Sequence, residues 1–235
     1  MRAVILAGGK GTRLLPYTTV IPKPLMPVGD RPILEIIVRQ LKRYGFLQIT
    51  MAVGHLSELI EAYFNDGSKY GIRIDYSREE KPLGTIGSLA LIDGLSETFL
   101  VMNGDVLTDL DFARLIEFHK TNKAVATIAT YNKKVNIDLG VLETDESLRL
   151  KQYREKPTLK YDVSMGVYVF EPEILGFIEP GIYLDFPDLV LDLIGHGEKV
   201  MAYPFDGYWL DIGRHEDHLR AQEEFEVLKE TLELD

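Results

Sequence analysis

The chain has 235 residues, 46% of them hydrophobic, which is enough for a sizeable core and is the size of one large domain. Its formal net charge of −11 makes it a poor partner for nucleic acid or an anionic membrane surface, so neither is expected. It contains no cysteine, which excludes disulfides and thiolate metal sites, and its apolar runs are too short for a signal peptide or membrane span; the expected compartment is the cytoplasm.

In chain order, residues 3–7 read as a buried strand that opens into a glycine-rich basic loop, Gly8-Gly9-Lys10-Gly11-Thr12-Arg13. The spacing predicts a helix over 32–44, with Asp30 placed to cap it, Pro32 near its first turn and Ile33, Ile36, Ile37 and Leu41 on one face. Strands are expected at 48–53, 72–76, 98–102 and 124–131. Helices are expected at 56–64, from Thr85 to about Leu91, and at 110–119. This alternation predicts an α/β fold, a mostly parallel mixed sheet flanked by helices. The second half is more mixed. Strands are expected at 140–144, 148–153, 163–170 and 200–203, a helix from Asp185 to about Ile194, and a long terminal helix from Arg214 to about Glu230. The chain shows no internal repeat or linker, and reads as one domain whose later strands form a smaller second layer.

Charge is unevenly spread. Residues 1–29 carry Arg2, Lys10, Arg13 and Lys23 and no acid, so an anionic ligand is drawn there and repelled elsewhere. The glycine loop is neither a dinucleotide fingerprint, since Leu14 stands where a third glycine belongs, nor a P-loop, since Lys10 precedes the last glycine. It reads as a phosphate loop of another kind, with backbone N–H groups aimed at an anion. Lys23 sits between Pro22 and Pro24 on a stiffened segment, suited to a point-charge contact with a phosphoryl oxygen, or to a purely structural role. Asp105, just past an apolar strand in Asn103-Gly104-Asp105, is either a ligand for a hard cation such as Mg²⁺ or a turn residue. Asp211, two residues after the only tryptophan, is either a second ligand or a cap for the terminal helix. Asp109-Leu110-Asp111 imitates the metal motif of glycosyltransferases, but one of its acids is better explained as a helix cap. Glu155-Lys156-Pro157 is a sugar-phosphate contact or an exposed turn. The five histidines form no metal cluster and read as surface residues, and no nucleophile triad is evident.

Taken in order, Leu6-Ala7-Gly8-Gly9-Lys10-Gly11-Thr12-Arg13-Leu14, Pro22-Lys23-Pro24-Leu25, Pro82-Leu83-Gly84-Thr85, Asn103-Gly104-Asp105, Glu155-Lys156-Pro157 and Trp209-Leu210-Asp211-Ile212-Gly213 resemble the sugar-1-phosphate nucleotidyltransferases, or nucleotide-sugar pyrophosphorylases. The resemblance implies a Rossmann-like nucleotide-diphospho-sugar transferase fold. One catalytic domain would divide into a nucleotide-binding half, 1–131, and a sugar-phosphate-binding half, 132–235. It places Leu6 to Thr12 around a nucleoside triphosphate, Arg13 on its phosphates and Lys23 at the α-phosphate. Asp105 and Asp211 would hold Mg²⁺, Asp105 serving the chemistry with Arg13 and Lys23. Asn103, Gly140, Glu155, Lys156 and Ser164 would serve the sugar phosphate. Glu80-Lys81-Pro82-Leu83-Gly84-Thr85 resembles the base-site segment of the mannose- or heptose-1-phosphate guanylyltransferases, which implies GTP through Glu80, Pro82, Gly84 and Thr85. Ser164-Met165-Gly166 replaces the Asn-Ala-Gly of many relatives, and Leu15 a frequent second arginine. The β-helix domain of longer relatives is not expected here, so any homo-oligomer would use the core. The alternatives are uridylyl or thymidylyl transfer to glucose 1-phosphate, a non-catalytic subunit that binds a nucleotide sugar, and a glycosyltransferase resting on Asp109 and Asp111.

Overall fold

Side chains alternate across β1 (Arg2–Ala7), and that alternation builds two cores: Ala3, Ile5 and Ala7 join one, Val4 the other. A strand buried on both faces needs a helix layer on each side, and the chain supplies them. In the computed structural model, which describes residues 1–232, β1 leads through a long loop with three short 3₁₀ turns to a small hairpin, β2 (Pro27–Val28) and β3 (Arg31–Pro32). Then follow α1 (Ile33–Arg43), β4 (Gln48–Val53), α2 (Ser57–Phe64), β5 (Arg73–Arg78), β6 (Phe99–Asn103), β7 (Val106–Thr108) and α3 (Phe112–Asn122). The second half holds β8 (Ala126–Asn136), β9 (Val141–Thr144), β10 (Leu150–Arg154), β11 (Thr158–Phe170), α4 (Phe186–Gly195), β12 (Val200–Phe205), β13 (Trp209–Asp211), α5 (His215–Glu223) and α6 (Phe225–Thr231).

One seven-stranded sheet runs in the order β12-β8-β11-β6-β1-β4-β5. All neighbours pair in parallel except β11, which is antiparallel to both β6 and β8. The sheet is thus mostly parallel, as the alternation of strands and helices implied. The outer parts of β8 and β11 leave the sheet and, with the β9–β10 pair, form an arm. No residue from 132 to 162 is buried.

Four local expectations are corrected. Asp30 does not cap α1: it lies in the β2–β3 hairpin, and the Met26 carbonyl takes the first helical N–H, from Ile33. The segment from Thr85 is a 3₁₀ turn, Gly87–Leu91, rather than an α-helix: the Leu89 amide bonds back three residues to Ile86 and the Ile92 amide to Leu89, while the Leu184 carbonyl takes the Ile86 and Gly87 amides ahead of them. The terminal helix breaks at Glu224 into α5 and α6, which buries Phe225 and Leu228. His119 is not a surface residue but fully buried, bonded to Thr127 Oγ1 at 2.8 Å and Glu171 Oε1 at 3.1 Å. Among the described residues no helix is long and apolar enough to cross a membrane.

Candidate active site

The order of connections reverses beside β1: the chain runs outward through β4 and β5, then returns to β6 on the other side. In an open α/β sheet that reversal leaves a crevice beyond the C-terminal strand ends. A cleft of about 750 Å³ occupies it. Every residue from Leu6 to Arg13 lines it, together with Lys23, Glu80, Pro82, Gly84, Thr85, Asn103, Asp105 and Asp211. The loop after β1 turns at Gly11, whose φ of +61° is left-handed. A Cβ there would stand 2.8 Å from Thr18 Cγ2, so the tight turn excludes any side chain. Thr18 Oγ1 donates back to the Gly11 carbonyl at 2.8 Å and closes it.

Charge concentrates at the cleft floor. Lys23 Nζ forms an ion pair with Asp105 Oδ2, and both side chains are largely buried. Asp105 Oδ1 is buried with no hydrogen-bond partner. Burial and the nearby Asp105 carboxylate push the Asp211 carboxyl above its usual range; Lys23 and Arg13 offset this only in part. Two adjacent carboxylates, one with an orphaned oxygen, fit a divalent cation. Among the described residues no third carboxylate or histidine joins them. That donor set suits Mg²⁺, which keeps waters and takes substrate phosphate oxygens beside one or two carboxylates.

A second cavity of about 250 Å³ adjoins the cleft and shares Leu6, Thr85, Asn103 and Asp211 with it. Its other walls include Ser164, Met165, Gly166, Tyr168, Phe186 and Trp209. Tyr168 and Phe186 stack at 3.9 Å, the Ser164 hydroxyl donates to Tyr168 at 3.2 Å, and the Trp209 indole donates to the Met165 carbonyl at 3.0 Å. Gly140, Glu155 and Lys156 are not brought to either cavity; they lie on the arm, outside both. There the Tyr153 hydroxyl donates to Glu155 at 2.7 Å and sits against Gly140. Asp109 and Asp111 also lie outside both cavities: Asp109 accepts from the Tyr208 amide at 2.7 Å, and Asp111 caps α3 through the Arg114 amide.

Residues 2–227 match the Nucleotidyl transferase family. The chain belongs to that family. It is 37% identical over 241 aligned residues, 94% of the chain, to the UTP–glucose-1-phosphate uridylyltransferase of Synechocystis sp., and 36% identical over 93% of the chain to the mannose-1-phosphate guanylyltransferase of Mycobacterium tuberculosis. It spans 62% and 63% of the length of those relatives. Among solved structures, HddC from Yersinia pseudotuberculosis has a TM-score of 0.73 at 26% identity, with 95% of this chain and 99% of that one covered; its complex with GMP-PN scores 0.71.

The cleft also holds residues that the sequence motifs passed over. Glu79, beside the expected Glu80, projects into the cleft at the end of β5: its Oε2 accepts from the Leu83 amide at 3.1 Å, and Oε1 stands 3.3 Å from where a Cβ on Gly8 would be. Burial raises its pKa. Asp185 fixes the Gly84–Thr85 turn by accepting from the Thr85 amide at 3.0 Å and hydroxyl at 3.2 Å. His55 lines the cleft too, and its Nε2 lies 3.3 Å from the Thr18 carbonyl.

Proposed function

We propose that this chain transfers a nucleoside monophosphate from an NTP, GTP in our reading, to a sugar 1-phosphate of the mannose or heptose type. A phosphate oxygen of the sugar 1-phosphate forms the bond to the α-phosphorus. The bond from that phosphorus to its bridging oxygen breaks, and pyrophosphate leaves with the electron pair. The nucleophile is already an anion, so the chemistry calls for charge neutralisation and alignment rather than a strong base.

The observation that carries the reading is the junction of the two cavities: Asn103 and Asp211 line both, and Lys23, Arg13 and Asp105 line the larger one beside it. Triphosphate in the larger space and sugar in the smaller would meet there. Asp105 and Asp211 would hold Mg²⁺, which when bound would draw charge from the phosphoryl oxygens and the departing pyrophosphate. Lys23 and Arg13 would meet the α-phosphate and the leaving group. The family resemblance assigns Glu155 and Lys156 to the sugar phosphate; they lie outside both cavities, so this role requires the arm to move toward the cleft.

Guanine is favoured by Glu79, whose carboxylate suits the adjacent N1–H and N2–H donors of that base, and by the guanylyltransferase relative. A uridylyl reading with glucose 1-phosphate is favoured by the Synechocystis relative. Pyrophosphate release, measured for GTP, UTP, dTTP, CTP and ATP against mannose, heptose, glucose, galactose and N-acetylglucosamine 1-phosphates with Mg²⁺, decides between them. A dominant GTP row is expected; a dominant UTP row replaces guanylyl with uridylyl transfer, and silence from folded protein defeats the activity.

A further inference from the structure

We infer that α5 is a clamp on the loop that carries Lys23, with His215, His218 and Gln222 as positioning residues for the reaction; the reaction role rests on the proposed activity. The loop between Leu15 and Gly29 has only three-residue turns for regular structure before its short hairpin, and it exposes Leu15, Tyr17, Val20 and Ile21. Thr18, Met26 and Val28 are buried and anchor it, but the stretches between them have no regular partner of their own. His215, His218 and Gln222 are spaced i, i+3, i+7, which puts all three on one helix face. His215 Nε2 donates to the Leu15 carbonyl at 2.8 Å, and His218 Nε2 to the Pro27 carbonyl at 2.7 Å. Gln222 donates to the same Pro27 carbonyl at 2.7 Å and accepts from the Gly29 amide at 2.9 Å. The bonds thus hold both ends of the loop and bracket Lys23.

Ala221 is the one buried residue of α5, so the helix meets the loop through these polar contacts to its backbone and through the Tyr17 ring, edge-on to the His215 ring at 5.6 Å. Met26 and Val28 seat the end of the loop on the core, and the polar contacts from α5 hold its backbone above them. The same helix follows Asp211 after a short turn, Ile212 to Arg214. One element therefore braces the loop that carries Lys23, the partner of Asp105, and continues from the strand that holds Asp211. A shift of α5 would move these groups out of register, and an error of about 1 Å among reacting groups can cost about 100-fold in rate.

The test compares wild type, the double variant His218→Leu with Gln222→Leu, and His218→Gln, which keeps a donor of similar reach. Two readouts are taken: amide hydrogen exchange across the whole chain, and steady-state pyrophosphate release. In the double variant, exchange over residues 15–29 is expected to rise at least about tenfold while the central sheet stays protected. With it, kcat should fall by about 10- to 100-fold with the KM for sugar 1-phosphate within about threefold of wild type. His218→Gln should recover most of both. Unchanged loop exchange, faster loop exchange with wild-type kcat, or protection lost evenly over the sheet would each overturn the clamp. A wild-type protein without activity defeats the proposed function instead, and the exchange comparison alone then decides whether α5 holds the loop.

Discussion

In the proposed reaction Glu79 would select the base. Guanine offers two neighbouring donors on its pairing edge, which one carboxylate can take together; uracil offers a single N–H between two carbonyls, which a carboxylate repels. Replacing Glu79 by Gln turns one acceptor into a donor aimed at guanine's own N–H groups. We expect Glu79→Gln to lower kcat/KM for GTP by about 10- to 100-fold, the cost of one unpaired polar contact, and to leave UTP turnover nearly unchanged or improved. Parallel kinetics with both nucleotides check this, and equal losses for the two would remove Glu79 from base selection. The sequence pointed to Glu80 alone, and both glutamates line the cleft. Glu79, whose amide is bonded to the Val53 carbonyl beside β5, is half-buried and takes the Leu83 amide, whereas Glu80 lies in the following bend and is exposed, a difference that sequence spacing does not carry. By contrast Leu6 to Arg13 were legible because an apolar run ending in glycines and basic residues has few other uses, and Lys23 because two prolines isolate it.

At the scale of elements, α3 is tied to the sheet by a buried histidine. His119 has no exposed surface; its ring bonds Thr127 on β8 and Glu171 just beyond β11, and Glu171 also accepts from the Thr98 hydroxyl at 2.7 Å. Burial holds its pKa below the ordinary value, and the Glu171 carboxylate opposes this only in part. The folded state therefore binds the proton more weakly than the unfolded one. Its contribution to stability is complete above about pH 6.5, the ordinary value, and is lost as the pH falls below it. Between pH 7.5 and 5.5 the melting temperature of wild type should fall further than that of His119→Gln. Parallel curves for the two proteins would show that His119 does not carry the acid sensitivity. Nothing in the local sequence announced this residue, since a histidine among polar neighbours reads the same whether it faces solvent or Thr127. The βαβ half was legible for the opposite reason: β1, β4, β5 and β6 repeat at intervals that leave room for a crossover segment. The β2–β3 and β7–β13 pairs were not, because strands of two or three residues hold less than two periods of alternation. The break at Glu224 was hidden too, as its carboxylate is held by Tyr208, 16 residues earlier.

The whole molecule divides into a body with two cores and an arm with none. Leu139, Leu142, Leu148 and Leu150 are all exposed on the arm, and neither core contains a residue between 132 and 162. Burial of apolar surface is what stabilises a domain of this size, so the arm adds little to folding. Glu155 and Lys156 are its chemistry-bearing residues by family resemblance, which gives the arm a reason to exist that folding does not. Ile137 donates to the Pro157 carbonyl at 3.1 Å, so residues 138–156 can be replaced by Asn-Gly, a two-residue turn suited to a hairpin. The shortened protein should melt within about 4 °C of wild type, the shift that about 1 kcal/mol produces in a chain of this length. Its kcat/KM for sugar 1-phosphate should fall by about 10- to 100-fold, the worth of a charged contact to phosphate, with the KM for NTP unchanged. Melting and two-substrate kinetics on one preparation separate the outcomes. A large loss of melting temperature would make the arm part of the folding unit. An unchanged kcat/KM would leave Glu155 and Lys156 without a role in the reaction, and the sugar phosphate would then be held by the body alone, with Asn103 at the junction of the two cavities, Ser164 in the smaller and Arg13 in the larger as the groups to test.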